Sequence, residues 1–465
     1  MNKYWISHKI EFSILIVLGI VAGLIVVYKA ATLSFTHDES GTYLYLNQLS
    51  IWQVFTHEDA WKSANNHILN TILYKFSIHL FGHSDFTMRL PNVLAYLGSL
   101  LAALWVINNK LSKSSSRFVL FTILFFNPYI LDFYSLSRGY GLSMFFHFSF
   151  LVCIWHFKEK QNFKSLYLAY AMLSLASLSL LTNLVLFPIY TLVLWITFKA
   201  NSGNFRKKLI LIPLVFGIST LAVVVRPLLY LIGKDELKFG VASIWDSLKS
   251  LIIRTFHYIP EQEFMWIHDI LTVILLIGIS WVLYFSLIKK MNNYFALSFL
   301  ILVITLHILY FGFDIRFPNE RKTTIYVPIL ALLFSTYIEE SNFIKLRHRF
   351  YNIAIIFASL IPIFSNQLDR SIEWAYDRKT KDYMRKIQEA ASNQRIVVLT
   401  EWWFTPTAEY YLKTLELKNI HILPYNKNFN LSSQNDMVIS HKSLVSDGEY
   451  VLVDSDEELG LFSKK

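Results

Sequence analysis

The chain alternates long apolar runs with short polar or basic connections. A helix needs about 20 mostly apolar residues to cross a bilayer, and on that measure about eleven spans are expected. They fall near 10–30, 92–109, 117–132, 139–157, 165–181, 183–199, 208–231, 267–288, 294–312, 323–340 and 348–366. The two between Ser165 and Lys199 share only Leu181-Thr182-Asn183 as a turn. Joined into one, they would move every later loop to the other side and leave Lys289-Lys290 facing out, so they are read as two. Two stretches break the rhythm. In the loop from 31 to 91, Tyr43, Leu44, Leu46 and Leu49, then Ile68, Leu69, Ile72, Leu73 and Phe76, recur at helical spacing among polar residues. They predict amphipathic helices, either lying in the membrane interface or packed on the bundle. After 366 the pattern becomes that of a soluble domain: a helix over 382–391, a short buried strand over 395–400, a helix over 406–415, and strand-like runs at 420–423, 437–439 and 450–453. The expected fold is a polytopic α-helical membrane domain (1–366) followed by a small α/β domain (367–465).

Composition supports the membrane reading. The chain is 54% hydrophobic and only 16% charged, against roughly a quarter charged in soluble domains. The net charge of +10 is explained by where the cations lie. Lys3 and Lys9, then Lys110, Lys113 and Arg117, then Lys158, Lys160 and Lys164, then Arg206, Lys207 and Lys208, then Lys289 and Lys290, then Lys345, Arg347 and Arg349 fall on alternate loops. This is the positive-inside distribution, which argues against nucleic acid as a partner. It places the N-terminus in the cytoplasm, and the loops 31–91 and 232–266 with the C-terminal domain on the outer face of a plasma membrane. Phe12 to Val27 has no small-residue cleavage site after it and is read as a retained helix. Cys153, the single cysteine, excludes an intrachain disulfide.

Candidate chemistry gathers just after the first span. Asp38-Glu39 follows His37; Asn66-His67 comes next; Phe86-Thr87-Met88-Arg89-Leu90-Pro91 opens the second span; Ser137-Arg138-Gly139-Tyr140 opens a later one. Read alone, Asp38-Glu39 is either a functional acidic pair or an ordinary solvated pair capping a loop helix, since Thr36 and Asp38 are both good N-caps. His67 is equally a hydrogen-bonding loop residue or a substrate contact. His37, Asp38, Glu39 and His67 together are of the right type for a divalent metal ion. Arg138 and Arg321, at span ends, suit a phosphate at headgroup depth, or merely snorkel to lipid. Arg89 is read as fixing entry into the second span. Arg226, and Asp314 with Arg316, line a groove or pair with one another. His147 and His307, on apolar spans, are read as satisfied by a neighbouring helix. Trp402-Trp403 stacks on a sugar, dips into the interface or packs in a core.

The motif order resembles the membrane glycosyltransferases of family 39, which include the dolichyl-phosphate-mannose protein mannosyltransferases and the bacterial lipid A aminoarabinose transferases. The family's prolines after the His are absent here, where the chain reads Asn66-His67-Ile68-Leu69-Asn70. The resemblance implies a C-type membrane glycosyltransferase fold and transfer of a sugar, with inversion, from a polyprenyl-phosphate donor to an acceptor on the outer face. It implies Asp38 as the base, with Glu39 orienting it or holding a metal, and Asn66, His67, Arg138, Tyr140 and Arg321 as substrate contacts. The acceptor is a protein, lipid A or a cell-surface glycan. Reading from a different class, the chain is a transporter or flippase, for which ionisable residues at mid-membrane depth are expected; here the charges cluster at the outer surface.

Overall fold

The computed structural model describes residues 2–56, 65–198, 203–288, 294–341, 367–391, 395–424, 437–441, 450–455 and 459–464. It is mainly helical, with one small sheet. Helix α1 (Asn2–Thr32) leads into three short helices, α2 (His37–Leu46), α3 (Ile51–Thr56) and α4 (Ile68–Phe81). The bundle continues through α5 (Asp85–Asn109), α6 (Ser114–Phe125), α7 (Pro128–Ser135), α8 (Gly139–Lys160), α9 (Phe163–Ser179), α10 (Leu186–Thr197) and α11 (Gly203–Gly233). It closes with α12 (Ile244–Thr255), α13 (Glu261–Ile288), α14 (Tyr294–Phe313) and α15 (Val327–Glu340).

The chain is a multi-pass membrane protein. Among the described residues six helices are each long and apolar enough to cross a membrane: Lys9–Thr32, Asp85–Asn109, Gly139–Lys160, Gly203–Gly233, Glu261–Ile288 and Tyr294–Phe313. The span expected at 117–132 is a bent pair, α6 and α7, meeting at 51°, with Asn127 capping α7 and Pro128 opening it. Three expected spans are shorter or interrupted helices. That at 165–181 is the 17-residue α9; that at 183–199 is a 3₁₀ turn, Leu181–Val185, leading into α10; that at 323–340 is a 3₁₀ turn, Glu320–Tyr326, leading into the 14-residue α15. The break after α9 is pinned by Asn183, whose Nδ2 donates to Ala176 O (2.9 Å) and Ser143 Oγ (2.7 Å). The expected span at 348–366 lies outside the described residues.

The loop helices follow from their caps. Thr36 and Glu39 form a reciprocal capping box at the start of α2, and Ser84 with Thr87 forms one at the start of α5. Helix α4 turns a mixed face inward, burying Ile68, Asn70, Thr71, Tyr74 and Ser77, while Phe76, Leu80 and Phe81 are exposed. Pro91 lies inside α5 and has no N–H for the Thr87 carbonyl. Ser77 Oγ, from α4, donates to that carbonyl instead (2.6 Å). A proline defect in one helix is thus repaired by its neighbour, which fixes the register of α4 on α5.

The C-terminal segment forms a sheet in the order β2-β1-β3-β5-β4, with β1 (Ile396–Thr400), β2 (Ile420–Pro424), β3 (Met437–His441), β4 (Tyr450–Ser455) and β5 (Leu459–Lys464). Strands β2, β1 and β3 are parallel, and β5 pairs antiparallel with both β3 and β4. The helices Thr380–Ala390 and Thr405–Thr414 cover it. Strand β5 was not expected from the sequence; its Gly460-Leu461-Phe462 run is short and ends in lysines. One face of the sheet has a small core of its own, Leu399, Val438 and Phe462, and the other shares one with the membrane domain: Phe35, Tyr43, Tyr74 and Met88 of the α1–α5 region pack in one cluster with Tyr383, Met384, Phe404, Tyr410 and Tyr411. Polar bonds reinforce this seam, with Lys381 Nζ and Tyr410 Oη both on Asp85 (2.6 and 2.7 Å).

Ser77→Ala is expected to lower stability by about 1 kcal/mol by stranding the Thr87 carbonyl, and the loss is expected to shrink when Pro91→Ala restores an amide donor. Thermal unfolding of the two single variants and the double variant in detergent measures the coupling.

Candidate active site

The α1–α2 junction is organised by a buried ion pair. Arg89 and Glu39 are both fully buried, and Arg89 uses all five of its N–H groups. Nε and Nη2 donate to the two Glu39 oxygens (2.9 and 2.8 Å), Nη1 donates to Ala30 O and Leu33 O (3.2 and 2.9 Å), and Nη2 also donates to Ser34 O (2.9 Å). The guanidinium therefore caps the end of α1. Glu39 accepts further bonds from the Thr36 amide (3.0 Å) and the Ser137 amide. This carboxylate is fully committed and does not line the neighbouring cavity.

Asp38, one residue earlier, turns the other way. Its Oδ2 lies 3.1 Å from Arg138 Nη2 and 3.6 Å from Arg321 Nη1. Trp374, buried, stacks under both guanidinium groups at 5.9 and 5.4 Å. Burial by itself would raise the Asp38 carboxyl. Arg138, Arg321, His37 and a hydrogen bond with Trp374 outweigh it and hold the group below the usual carboxylate range. The Asp38 carbonyl accepts from Asn65 Nδ2 (3.0 Å) and Arg138 Nη1 (3.5 Å), which fixes the backbone beneath it.

Asp38, Asn65, Arg138, Tyr140, Arg321 and Lys322 line a cavity of ≈ 570 Å3. Arg321 is the more accessible of the two arginines beside Asp38, with about a third of its side chain open against almost none of Arg138. Beyond it, Arg254 bridges Glu320 (3.0 Å) and Glu373 (3.6 Å), and Tyr129 Oη donates to Glu373. Burial, the largest influence, raises the Glu373 carboxyl above its ordinary range despite Arg254.

Arg138 is set in place by an asparagine ladder. Asn70 Nδ2 donates to Ser137 O (3.0 Å), Asn92 Nδ2 to Asn70 Oδ1 (2.7 Å) and the Leu142 amide to Asn92 Oδ1 (3.2 Å). Gly139 allows the close approach that follows, since a Cβ there would sit 2.0 Å from Ser179 O and 2.9 Å from His67 Cβ.

Of the residues singled out in the sequence, Asp38, Arg138, Tyr140 and Arg321 meet at one cavity. Buried His67 supports it from behind: its Nδ1 bonds Ser179 O (3.1 Å) and its ring meets Tyr140 edge-on at 5.1 Å. Asn66 is a bracket in the loop, donating to Val54 O (2.9 Å) and accepting from Thr71 Oγ1 (3.3 Å). The four residues considered for a metal are not brought together. Asp38 faces two arginines, Glu39 faces Arg89, His67 faces Ser179, and His37 Nδ1 donates to Trp403 O (2.7 Å). Among the described residues no three His, Cys, Asp or Glu side chains converge as a metal site, so this arrangement does not fit the ion that the sequence allowed for. Arg226 is exposed on α11, and Asp314 and Arg316 pair weakly at 3.8 Å. His147 bonds Tyr190 Oη (2.6 Å) and His307 bonds Val303 O (2.8 Å) within the bundle. Sequence reasoning missed Trp374, Glu373 and Asn65. Trp374 and Glu373 lie in a run, Ser371-Ile372-Glu373-Trp374, that carries no recognisable motif.

The chain is a multi-pass helical bundle whose first loop carries a buried capping acid and a cavity-facing acid, closed by a small α/β domain. It is similar over 96% of its length to the crystal structure of ArnT from Cupriavidus metallidurans in the apo state, covering 97% of that chain, with a TM-score of 0.52 and 12% identity. It is also similar to the structure of the same protein bound to undecaprenyl phosphate, covering 97% of each chain with a TM-score of 0.55 and 11% identity. At such identities the likeness establishes the fold. No family model and no curated protein sequence matches the chain.

Breaking the Glu39–Arg89 pair from either side, by Glu39→Gln or Arg89→Met, is expected to cost about 3–5 kcal/mol because it leaves a buried charge uncompensated. Asp38→Asn, at a partly open site, is expected to cost far less. Thermal midpoints of the three purified variants give the order.

Proposed function

We propose that the protein is a membrane glycosyltransferase that moves a sugar from a polyprenyl-phosphate donor to an extracytoplasmic acceptor, with inversion, and that Asp38 is its base. The observation that carries this reading is a single carboxylate held between two arginines in a cavity of a C-type glycosyltransferase fold. The similarity to a structure bound to undecaprenyl phosphate supports the class of donor.

In this mechanism the acceptor hydroxyl oxygen attacks the anomeric carbon on the face opposite the phosphate. The bond from that carbon to the phosphate oxygen breaks, and its electron pair leaves with polyprenyl phosphate. The proton of the acceptor hydroxyl passes to Asp38 and then to water. A phosphate leaving group needs little protonation, so one carboxylate suffices, in contrast to the paired acids of glycosidases. Arg138 and Arg321 have two roles. In the free enzyme they keep Asp38 ionised; with donor bound their guanidinium forks, and Lys322 beside them, match the phosphate oxygens and the charge that grows on them. A depressed carboxylate is a weak base in isolation, and engagement of the arginines with phosphate would return basicity to Asp38 as transfer begins. Glu39 acts through position only, by fixing the helix that carries Asp38. No step is assigned to a metal.

Asp38→Asn is expected to reduce transfer of labelled sugar from a panel of polyprenyl-phosphate sugars by at least about 10²-fold while the protein remains inserted and folded; undiminished transfer would remove Asp38 from this role. The pH dependence has a definite sign. Because the folded-state value of Asp38 is depressed, its charged form persists above that value and is lost only as pH falls through it. Arg138→Gln removes one of the lowering charges and leaves the raising effect of burial, so the acid limb of kcat/KM is expected to move to higher pH. An unmoved limb would show that another group controls it.

A further inference from the structure

Two large aromatic side chains stand in the open next to the catalytic helix. Trp402 is 64% and Trp403 39% exposed, and their rings stack at 4.3 Å and 26°. Their display is rigid. Glu401 before them is buried and accepts from Ser440 Oγ on β3. Phe404 after them is fully buried and returns its amide to Glu401 O (2.9 Å), as Thr405 does (3.2 Å). A tight turn with buried residues at both ends thus holds two rings out into solvent, an arrangement that costs hydrophobic free energy and needs a reason.

The location narrows that reason. The turn follows the carboxyl end of β1, which is flanked by parallel β2 and β3, the edge at which open α/β sheets bind ligands. It is also joined to the proposed base. His37 Nδ1 donates to the Trp403 carbonyl (2.7 Å), and the His37 ring meets Trp402 edge-on at 5.8 Å. Tyr376 touches Trp403 edge-on at 5.9 Å, and its hydroxyl is within electrostatic range of Asp38 and Arg321. The aromatic rings thus lead from solvent toward Asp38 and Arg321. Tryptophans that anchor proteins in lipid lie at the ends of spans. These lie at the end of a strand in the α/β domain, fastened to the residue before Asp38, so their occupant has to be one that also reaches Asp38.

We propose that Trp402, Trp403 and Tyr376 form an acceptor subsite that stacks on the apolar C–H face of a pyranose ring and brings the acceptor hydroxyl to Asp38. The acceptor is then a saccharide or a glycan-bearing molecule. This rests on Asp38 as base, and the test separates the two ideas.

The full-length protein in nanodiscs is applied to a printed array of bacterial surface glycans, as wild type, Trp402→Ala/Trp403→Ala, Trp402→Phe/Trp403→Phe and Asp38→Asn. Undecaprenyl phosphate binding is measured in parallel. Wild type and Asp38→Asn are expected to retain the same glycans, the alanine variant to lose retention by about tenfold, and the phenylalanine variant to keep most of it, with lipid-phosphate binding equal in the wild type and the two tryptophan variants. Equal retention by the alanine variant, or retention of no glycan by the wild type, overturns the subsite. So does quenching by brominated lipid of the fluorescence difference between wild type and the phenylalanine variant, since that puts the rings in the bilayer. If Asp38→Asn still transfers sugar while the alanine variant loses glycan, the assignment of the base fails and the subsite stands.

Discussion

The Glu39–Arg89 pair is the constraint on which the site depends. A fully buried guanidinium is costly unless every donor is met, and here the partners come from three separate places: Ala30 near the end of α1, Leu33 and Ser34 in the connection after it, and the Glu39 carboxylate in the first turn of α2. Glu39 in turn takes the Ser137 amide, so the segment before α8 is tied to the same knot. Successive residues on a helix differ by about 100° in direction. With Glu39 pinned inward, Asp38 has to face the cavity, and Ser137 fixed to Glu39 has to present Arg138 to it. The acidic dipeptide divides its labour in this way: one carboxylate builds the site and the other is left to act in it.

The second constraint is closure from the C-terminal side. Trp374 lies under both arginines, the Ile372 amide donates to Asp132 (2.7 Å), and Asp132 pairs with Lys29 of α1. Asp377 accepts from the His37 amide (2.6 Å), and its carboxyl is driven well above the ordinary range, by burial first and then by nearby Asp38 and Glu39, over the opposing bond from His37. A third negative charge beside the pair works against the field that Arg138 and Arg321 create, and the upward shift of the Asp377 carboxyl lessens that conflict. The C-terminal domain is accordingly a wall of the site and not an appendage.

Much of this was legible in the sequence, and the limits are physical. Apolar runs revealed the six long spans, since length and hydropathy are local properties. They do not show the interruptions at 165–199 and 323–340, where the 3₁₀ turns Leu181–Val185 and Glu320–Tyr326 precede α10 and α15. The motif residues Asp38, Arg138, Tyr140 and Arg321 were legible as a group, but the direction each side chain takes was not. Adjacent acids look alike in sequence, and only the burial of Arg89 tells Glu39 from Asp38. His67 and Asn66 suggested contact with substrate, and in the structure they bond Ser179 O and Val54 O. Trp374 was illegible because its role comes entirely from partners more than fifty residues away in the chain.

The low identity to structures of the same fold has an explanation in these arrangements. Lipid-facing positions such as Ile210, Leu214 and Ile218 are exposed and need only be apolar, so many side chains serve equally well. The positions that cannot drift are those where backbone meets backbone or a buried polar group has one partner. Gly139 is the sharpest case. Any Cβ there would meet the Ser179 carbonyl, and relief would require moving α9 off α8, which carries His67 away from Tyr140 and Arg138 away from Asp38. A glycine with no chemistry of its own thus holds the cationic side of the cavity at its distance from the carboxylate, and the site's geometry is encoded as much by such contacts as by the charged residues that line it.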